Sequence, residues 1–393
     1  MYQYQQAKGA SYSHFNHQSC VDRKVLRRSV EIVTFLNIGL RMRLPIQFYS
    51  HRRNLTRAIL GPGTLESTAF DCEVICPAEN VEVAPAVYLP GQLERVTGSP
   101  PESTKELEID QATRRKVTHA ATIGYHIRDA VLIDGQIYAK RLKYPLRATP
   151  SAASKQIPPI ELEKGALASS LLGNKYFGHW LRDDCLTYML SEQRSVPLCI
   201  EPSFVAPHLE KYQEYFDQEW SFTQRAYIDH LTVFQDYGQN SSRLRRYRRL
   251  NDKILKRFSG GRKTPFTYLR RGNTGASRPI ENEFELIEML SRRGFVVADL
   301  EKDSLENILE ILVNSQVVVS MEGSHLAHCV FSVPSQSGLL VLQPPDRFAS
   351  IHRGWAICQG IEFGFVVGSR GSSGYIFSGQ EIERTLGLMT TRL

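Results

Sequence analysis

Short apolar runs and amphipathic segments alternate through the second half of the chain. Strands are predicted at 266–269, 295–298, 317–320 and 339–342, and helices at 281–292 and 304–314. This alternation predicts a parallel, doubly wound α/β sheet. Ligands of such sheets bind at the carboxyl ends of the strands, so the loops after Leu269 and Ser320 are expected to face a ligand.

The first half has a less regular pattern. Proline and glycine interrupt residues 60–118, with short strands possible at 72–76 and 81–89. Residues 130–139 have the pattern of a strand, an Asp-Gly turn and a second strand, which predicts a β-hairpin. A polar link at 145–160 precedes a helical pattern over 175–193, and short strands are predicted at 198–200 and 230–234. The strands and helix predict a further α/β unit.

Length and composition narrow the class of protein. A chain of 393 residues is long enough for two domains, and it has no apolar run of 18 residues. The first 30 residues lack the apolar segment of a secretory signal. Seven scattered cysteines, an odd number, predict free thiols in a reducing, cytoplasmic environment.

The positive charge lies mainly in the first 57 residues. They hold ten Lys and Arg against two acidic residues, which leaves residues 58–393 close to neutral. We therefore expect no nucleic-acid partner. The arm is either a disordered basic tail or a membrane-surface anchor, since Val25 to Leu44 mixes apolar residues with flanking arginines. Residues 241–257 form a second basic segment, predicted to be a helix with a solvated face or an anion-binding surface.

His179 and Asp183 lie four residues apart in the predicted helix, within the segment from Asn174 to Asp183. Residues at this spacing share one helix face. A carboxylate beside an imidazole suits proton transfer, and it equally suits a structural hydrogen bond. The pair alone leaves both interpretations open.

Two loops at predicted strand ends suit an anion. Arg270 and Arg271 can bind a phosphate or diphosphate through their guanidinium forks, or can lie on an exposed turn. In the second loop, Gly323 and Ser324 begin a predicted helix that can offer backbone N–H groups to an anion or serve only as a cap. His325 and His328 follow, but no known metal-binding spacing occurs, and no metal is expected.

The chain resembles glycosyltransferase family 61, of the capsular-polysaccharide-biosynthesis (DUF563) type, over roughly residues 65–370. The similarity rests on the order and spacing of four segments. They are Ala130–Tyr138, Asn174–Asp183, Tyr268–Arg271 with Arg278–Glu283, and Val317–Phe331. Where the family usually has His-Gly-Ala-Gly, this chain has Glu322-Gly-Ser-His325, and His328 replaces an Asn, so the donor pocket and the donor sugar are expected to differ.

The resemblance implies a GT-B-like α/β fold with two Rossmann-like lobes facing a cleft. The charge distribution separates an arm at 1–57, which lies outside the resemblance, from an expected acceptor-side lobe at 58–255 and a nucleotide-sugar-binding lobe at 256–393. The resemblance also implies inverting transfer to a glycan acceptor in surface or capsular polysaccharide synthesis, without metal or cofactor, from a nucleotide sugar that is expected to be UDP-linked. Peripheral membrane contact would come from the arm.

The resemblance also assigns the site. Asp183 or His179 is the candidate base, and Asp183 is favoured if the two act as a dyad, whereas His179 is favoured if Asp183 only orients it. The expected donor-binding residues are Arg270, Arg271, Glu322, Gly323, Ser324 and His325, supported by Asn174, Arg278, Asn282, Glu283 and His328. The substitutions at Glu322 and His325 motivate an alternative, a non-catalytic nucleotide-sugar or glycan-binding protein that retains the fold.

Overall fold

A computed structural model describes residues 61–148, 157–204, 208–261, 263–272 and 277–393, together with Ile46, Phe48, Tyr49, Asn54 and Ala58. The segment from Val25 to Leu44 lies outside these residues, so the membrane-surface interpretation of the arm stays a prediction. No helix in the described part of the chain is both long enough and apolar enough to span a membrane.

The first sheet has seven strands and is mixed. Its order is β6-β5-β4-β9-β7-β8, and β1 pairs with the start of β4. The strands are β1 (Asp71–Cys76), β4 (Thr122–Ile133), β5 (Gln136–Ala139), β6 (Leu142–Pro145), β7 (Ile160–Leu167), β8 (Pro197–Leu198) and β9 (Arg225–Gln235), and a separate antiparallel pair is formed by β2 (Glu79–Glu82) and β3 (Lys116–His119).

The predicted hairpin is confirmed. β4 and β5 are joined by Asp134 and Gly135, both with positive φ, as a two-residue hairpin turn requires. Turns this short join only antiparallel strands, so β4, β5 and β6 run antiparallel. Only β7 pairs in parallel, with β8 and β9. The first sheet therefore differs from the parallel Rossmann-like sheet that was expected in this half.

The second sheet is parallel throughout, as predicted. Its order is β11-β10-β12-β13-β14. The strands are β10 (Thr264–Arg270), β11 (Phe295–Asp299), β12 (Ser315–Met321), β13 (Gly338–Gln343) and β14 (Glu362–Val367), of which β14 was not predicted, and a short antiparallel pair follows in β15 (Ser369–Arg370) and β16 (Tyr375–Ile376).

Helices cover both sheets. We number them α1 to α12 along the chain and treat the turns at the site separately. They are α1 (Leu65–Thr68), α2 (Lys105–Thr113), α3 (Leu171–Lys175), α4 (Phe177–His179), α5 (Cys185–Glu192), α6 (Leu209–Phe216), α7 (Ser241–Phe258), α8 (Glu283–Arg292), α9 (Leu305–Val313), α10 (Cys329–Ser332), α11 (Ile351–Cys358) and α12 (Gly379–Thr390).

The strand order reverses between β10 and β12, and this places the candidate site. β10 pairs with β11 on one side and with β12 on the other, with Leu269 level with Ser320. Such a switch point opens a crevice at the carboxyl ends of the two strands. The loops that begin at Arg271 and Glu322 are therefore neighbours, as the sequence predicted.

The largest hydrophobic cluster joins helices from both halves of the chain. Trp180, Tyr212 and Tyr247 belong to the same buried cluster as Leu312 and Phe331. This packing brings α4 against the turn that follows β12. A Cβ added to Gly178 would lie 3.0 Å from the Ser324 carbonyl oxygen, so a larger residue there would push the two segments apart by a small distance.

Candidate functional site

The predicted helix around His179 is interrupted rather than continuous. α3 and α4 are separated at Tyr176, and a π-helical turn over Trp180–Asp184 leads into α5. A π turn inserts one extra residue per turn and is frequent at functional sites. Here it contains Asp183 and follows directly on His179.

His179 and Asp183 form the pair that their spacing predicted. Nδ1 of His179 lies 2.7 Å from Oδ2 of Asp183. The side chains are 21% and 23% exposed, so the pair lines a surface accessible to solvent. Burial and the charge of Arg182 lower the pKa of His179, whereas Asp183 opposes the shift. The imidazole is therefore neutral at pH 7.

Two arginines neutralise Asp183. Arg182 donates from Nε to Oδ1 at 3.0 Å and from Nη2 to Oδ2 at 2.6 Å, and Arg243 donates from Nη2 to Oδ1. Burial alone would raise the pKa of Asp183, but the charges of Arg182 and Arg243 hold it well below its ordinary value. Asp183 is thus a weak proton acceptor, and its ionised carboxylate is suited to orienting His179.

Arg243 and Arg246 correct the interpretation of the basic helix. Both side chains of α7 are buried, at 0% and 5% exposure. Arg246 binds Asp236 through both terminal nitrogens, at 2.6 and 2.7 Å. Arg243 is the first of four buried residues spaced i, i+4, i+7 and i+11 along α7, and the other three are Tyr247, Leu250 and Ile254. That spacing is the sequence signal by which Arg243 could have been recognised as inward-facing.

Arg270 and Arg271, expected to act together, point to different partners. Arg270 donates to Glu283 at 3.1 Å and to Asp299 at 2.7 Å, and its hydrogen bond to Asp299 raises its pKa. Burial, then the nearby charge of Arg278, lowers the pKa of Arg271 to about 10. Arg270 is therefore held by carboxylates, whereas Arg271 belongs to a second cluster of positive charge.

This second cluster centres on Glu322. Arg278 donates from Nη1 to Oε2 of Glu322 at 2.7 Å and to its carbonyl oxygen at 2.9 Å. Arg347, which the sequence did not indicate, donates to the same Oε2 at 2.9 Å. With Arg271, three guanidinium groups surround one carboxylate. Two surplus positive charges therefore lie at the strand ends, where they favour a polyanionic ligand.

Gly323 and His325 shape the turn after β12. His325 Nε2 lies 2.8 Å from Oγ of Ser320, which itself donates to the Leu269 carbonyl oxygen at 2.6 Å. A Cβ on Gly323 would lie 2.8 Å from Nδ1 of His325 and 3.3 Å from Nε of Arg271. The glycine is thus required by close packing inside the cluster.

The helix expected to begin at Gly323 is short. A 3₁₀ turn spans Ser324–His328, and α10 adds only Cys329–Ser332. Ser324 is exposed and packs against Gly178. The local helix therefore contributes little dipole to the site, and the arginines dominate its positive charge.

His328 lies in an aromatic cluster away from the arginines. Its Nδ1 is 2.7 Å from the Tyr212 hydroxyl, and its ring packs on Phe177 with centroids 5.2 Å apart. Burial lowers its pKa to about 3. His328 therefore links α4, α6 and the turn after β12, and supports the site from behind.

Asn174 and Asn282 brace loops. Asn174 donates to the Glu201 carbonyl oxygen at 2.7 Å and accepts from the Ser203 hydroxyl at 2.6 Å. Asn282 exchanges hydrogen bonds with the backbone of Phe377, at 2.8 and 3.1 Å. These amides are fully engaged with the protein in positions that stabilise its frame.

His352 of α11 connects the two charged clusters, and sequence patterns did not reveal it. Burial lowers its pKa to about 3, and Arg182 and His179 contribute the largest electrostatic effects. Arg278 and Arg347 lower it further. Because both sets of charges act on one buried ring, the His179 pair and the Glu322 cluster adjoin each other.

Other chemical features are few in the described ranges. Six cysteines there are free, and no group of three or more His, Cys, Asp or Glu side chains is placed to hold a metal ion.

The site thus combines a neutral imidazole and an ionised carboxylate with surplus guanidinium charge at the switch point of a parallel sheet. Residues 177–340 match the family model described as Glycosyltransferase 61. The match includes His179, Asp183, Arg278 and Glu322 and ends before Arg347 and His352. It supports the resemblance to this family and a glycosyltransferase activity. No curated protein matches the chain.

Proposed function

We propose that the protein is an inverting, metal-independent glycosyltransferase. It moves a sugar from a nucleotide sugar, expected to be UDP-linked, to a glycan hydroxyl in surface or capsular polysaccharide synthesis. The observation that carries the proposal is that the His179–Asp183 pair adjoins the surplus positive charge around Glu322, since His352 lies 4.0 Å from Glu322 and is acted on by the charges of both clusters. A sugar transferase needs a proton acceptor and a site for the leaving diphosphate in this proximity.

The proposal assigns the two sheets different tasks. The acceptor-side part, residues 58–255, supplies the base, and the donor-side part, residues 256–393, binds the nucleotide, as in a GT-B enzyme. The parallel sheet and its switch point between β10 and β12 support this assignment for the donor side. The π turn that follows His179 supports it for the acceptor side.

His179 is the better candidate for the base. Nδ1 of His179 lies 2.7 Å from Oδ2 of Asp183 and 3.0 Å from Nη2 of Arg182. The proposed mechanism uses the tautomer in which Nδ1–H donates to the ionised carboxylate, because this leaves the Nε2 lone pair free to accept a proton. The acceptor oxygen attacks the anomeric carbon and its proton passes to Nε2. The bond from that carbon to the phosphate oxygen breaks, and the diphosphate leaves with the electron pair. Asp183 stabilises the resulting imidazolium.

Arg271, Arg278 and Arg347 would hold the diphosphate. Charge that grows on the leaving oxygens meets guanidinium groups already fixed by Glu322, so little reorganisation is needed during the reaction. Glu322 therefore acts by positioning arginines instead of contacting the donor.

The test is turnover of nucleotide sugars by purified protein. A panel of UDP-, GDP-, dTDP- and CMP-sugars is incubated with and without EDTA, and the release of free nucleotide and the transfer to glycan acceptors are measured. We expect release from at least one donor at the same rate in EDTA. Binding of a nucleotide by calorimetry without release or transfer would instead support the non-catalytic alternative, and EDTA-sensitive release would contradict metal independence.

A further inference from the structure

The proton on His352 can be placed from its contacts. Nε1–H of Trp355 donates to Nδ1 of His352 at 3.3 Å, so Nδ1 carries the lone pair and Nε2 carries the hydrogen. The residue is 6% exposed. Its low pKa keeps the ring neutral at pH 7. His352 therefore presents one neutral N–H donor in a fixed direction.

That donor has no strong partner in the part of the chain that the structure describes. The contact of Nε2 with Oε1 of Glu322 is 4.0 Å, beyond hydrogen-bonding distance. The Glu322 carboxylate is already engaged by Arg278 and Arg347 through its other oxygen. Nε2–H therefore lies near the Glu322 cluster but makes no hydrogen bond to its carboxylate.

His352 lies where the His179 pair and the Glu322 cluster adjoin. The charges that act on its ring come from both clusters, from Arg182 and His179 and from Arg278 and Arg347, and its Nε2 lies 4.0 Å from Oε1 of Glu322. In the proposed transfer, the anomeric carbon must lie between the base and the diphosphate. The oxygen that joins carbon to phosphate then lies beside the ring of His352.

We propose that His352 is a catalytic residue that donates a hydrogen bond from Nε2 to the phosphate oxygen leaving the anomeric carbon. The inference rests on the proposed function. As the carbon–oxygen bond breaks, this oxygen keeps the electron pair and becomes part of the nucleoside diphosphate. No proton is transferred from His352, because the hydrogen stays on Nε2 throughout. The hydrogen bond strengthens as charge grows on the oxygen, which is the condition for lowering the barrier.

A neutral donor suits this position better than a cation. A protonated His352 would repel the arginines that surround Glu322, and burial already disfavours the charged ring. The Trp355 contact keeps the hydrogen on Nε2, so the donor is in place before substrate binds.

The experiment compares His352→Ala and His352→Gln with the wild-type protein. The Gln amide nitrogen can occupy the place of Nε2, whereas Ala removes the donor. For His352→Ala we expect kcat to fall about 100-fold with little change in the donor KM, as for loss of one fixed donor to a developing negative charge. His352→Gln should recover at least tenfold of this loss. Thermal unfolding of both variants establishes that they are folded.

Binding of UDP and UMP supplies a second readout. The leaving oxygen is a terminal phosphate oxygen in UDP and is missing from UMP. His352→Ala should weaken UDP about tenfold, measured by calorimetry, and leave UMP unchanged. Equal weakening of both nucleotides, or a kcat unchanged from wild type, would overturn the proposal. A wild-type protein that never releases a sugar would refute the proposed function, whereas the UDP–UMP comparison would still test this contact.

Discussion

Nδ1 of His179 lies 2.7 Å from Oδ2 of Asp183, and Nη2 of Arg182 lies 3.0 Å from the same nitrogen. Arg182 and Arg243 keep Asp183 ionised, and an ionised carboxylate only accepts, so in the proposed mechanism Nδ1–H donates to Asp183 and Nε2 keeps its lone pair. The relationship favours His179 as the base and Asp183 as the residue that orients it.

The pH dependence of the wild-type protein should report the deprotonation of His179. Burial and Arg182 lower its pKa below the ordinary value of about 6.5. The reactive form is the neutral one, so kcat/KM should be constant above that value and fall with decreasing pH only below it. His179→Ala should lose about 100-fold or more in kcat/KM, along with this acidic limb. An acidic limb that persists in the variant would show that another group accepts the proton.

Asp183→Asn should move the acidic limb to lower pH. The carboxylate supports the imidazolium, so its loss lowers the pKa of His179 further. We expect kcat/KM at pH 7 to fall about 100-fold, since the amide also permits the wrong tautomer. Comparable activity in this variant, from pH–rate profiles, would exclude the orienting role.

Stability gives an independent check on Asp183. Its pKa is depressed in the folded protein, so its contribution is present above the unfolded value of about 3.9 and is lost as pH falls through the folded value. Removing the charge leaves the buried guanidinium of Arg243 and the partly buried one of Arg182 less compensated. The Asp183→Asn variant should therefore unfold with about 3 kcal/mol less free energy at pH 7, and the difference should narrow below pH 4 in urea titrations.

The sequence predicted what depends on local pattern. Alternating strands and helices gave the parallel sheet, and strand ends gave the neighbouring loops at Arg271 and Glu322. The i, i+4 spacing gave the His179–Asp183 pair. The sequence could not show which way a side chain points when its partner is distant along the chain. Arg270 and Arg271 are adjacent in sequence, yet only tertiary structure sends one of them toward Asp299 and the other toward Glu322.

The site residues that the sequence analysis did not identify were missed for the same reason. Arg347 and His352 come from segments after β13, without a motif, and reach the site only because β13 lies beside β12. Arg243 was obscured by the charge of its own helix, where Arg245, Arg248 and Arg249 are exposed as expected for a solvated face. A helix that is basic overall hides the two arginines that face inward, Arg243 and Arg246.

Arg243→Met should raise the pH of the acidic limb, the opposite of Asp183→Asn. The charge of Arg243 lowers the pKa of His179, so its removal makes the imidazole more basic. It also leaves Asp183 and Asp236 with one buried partner fewer, which should cost about 3–5 kcal/mol of unfolding free energy.

Arg248→Met, on the exposed face of the same helix, is the matched control for Arg243→Met. It should change neither the pH of the acidic limb of kcat/KM nor the free energy of unfolding by a measurable amount. The test compares the two variants in kcat/KM as a function of pH and in the free energy of unfolding by denaturant. An equal response from both would mean that the effect comes from net charge and not from the buried contact.

Glu322→Gln should separate a positioning role from a donor-binding role. Loss of the carboxylate leaves three guanidinium groups with less compensation, so the free energy of unfolding should fall by about 2 kcal/mol or more. Added UDP restores negative charge at the same place and should stabilise the variant more than the wild type, measured as the shift in Tm at saturating nucleotide. A smaller shift in the variant would indicate that Glu322 itself contacts the nucleotide.

Gly323→Ala tests how tightly the turn after β12 is packed. The added Cβ would lie 2.8 Å from Nδ1 of His325 and 3.3 Å from Nε of Arg271, and the His325 ring cannot retreat easily because Nε2 is held by Ser320. We expect a loss of about 1–3 kcal/mol in unfolding free energy and at least tenfold weaker UDP binding, because Arg271 must shift.

Gly387 of α12 is the control, since a Cβ there meets nothing within 4 Å. Gly387→Ala should stabilise the helix by about 0.5–1 kcal/mol and leave UDP affinity unchanged. Unaltered UDP binding in Gly323→Ala, measured by calorimetry, would place the nucleotide away from the Arg271–His325 side of the cluster.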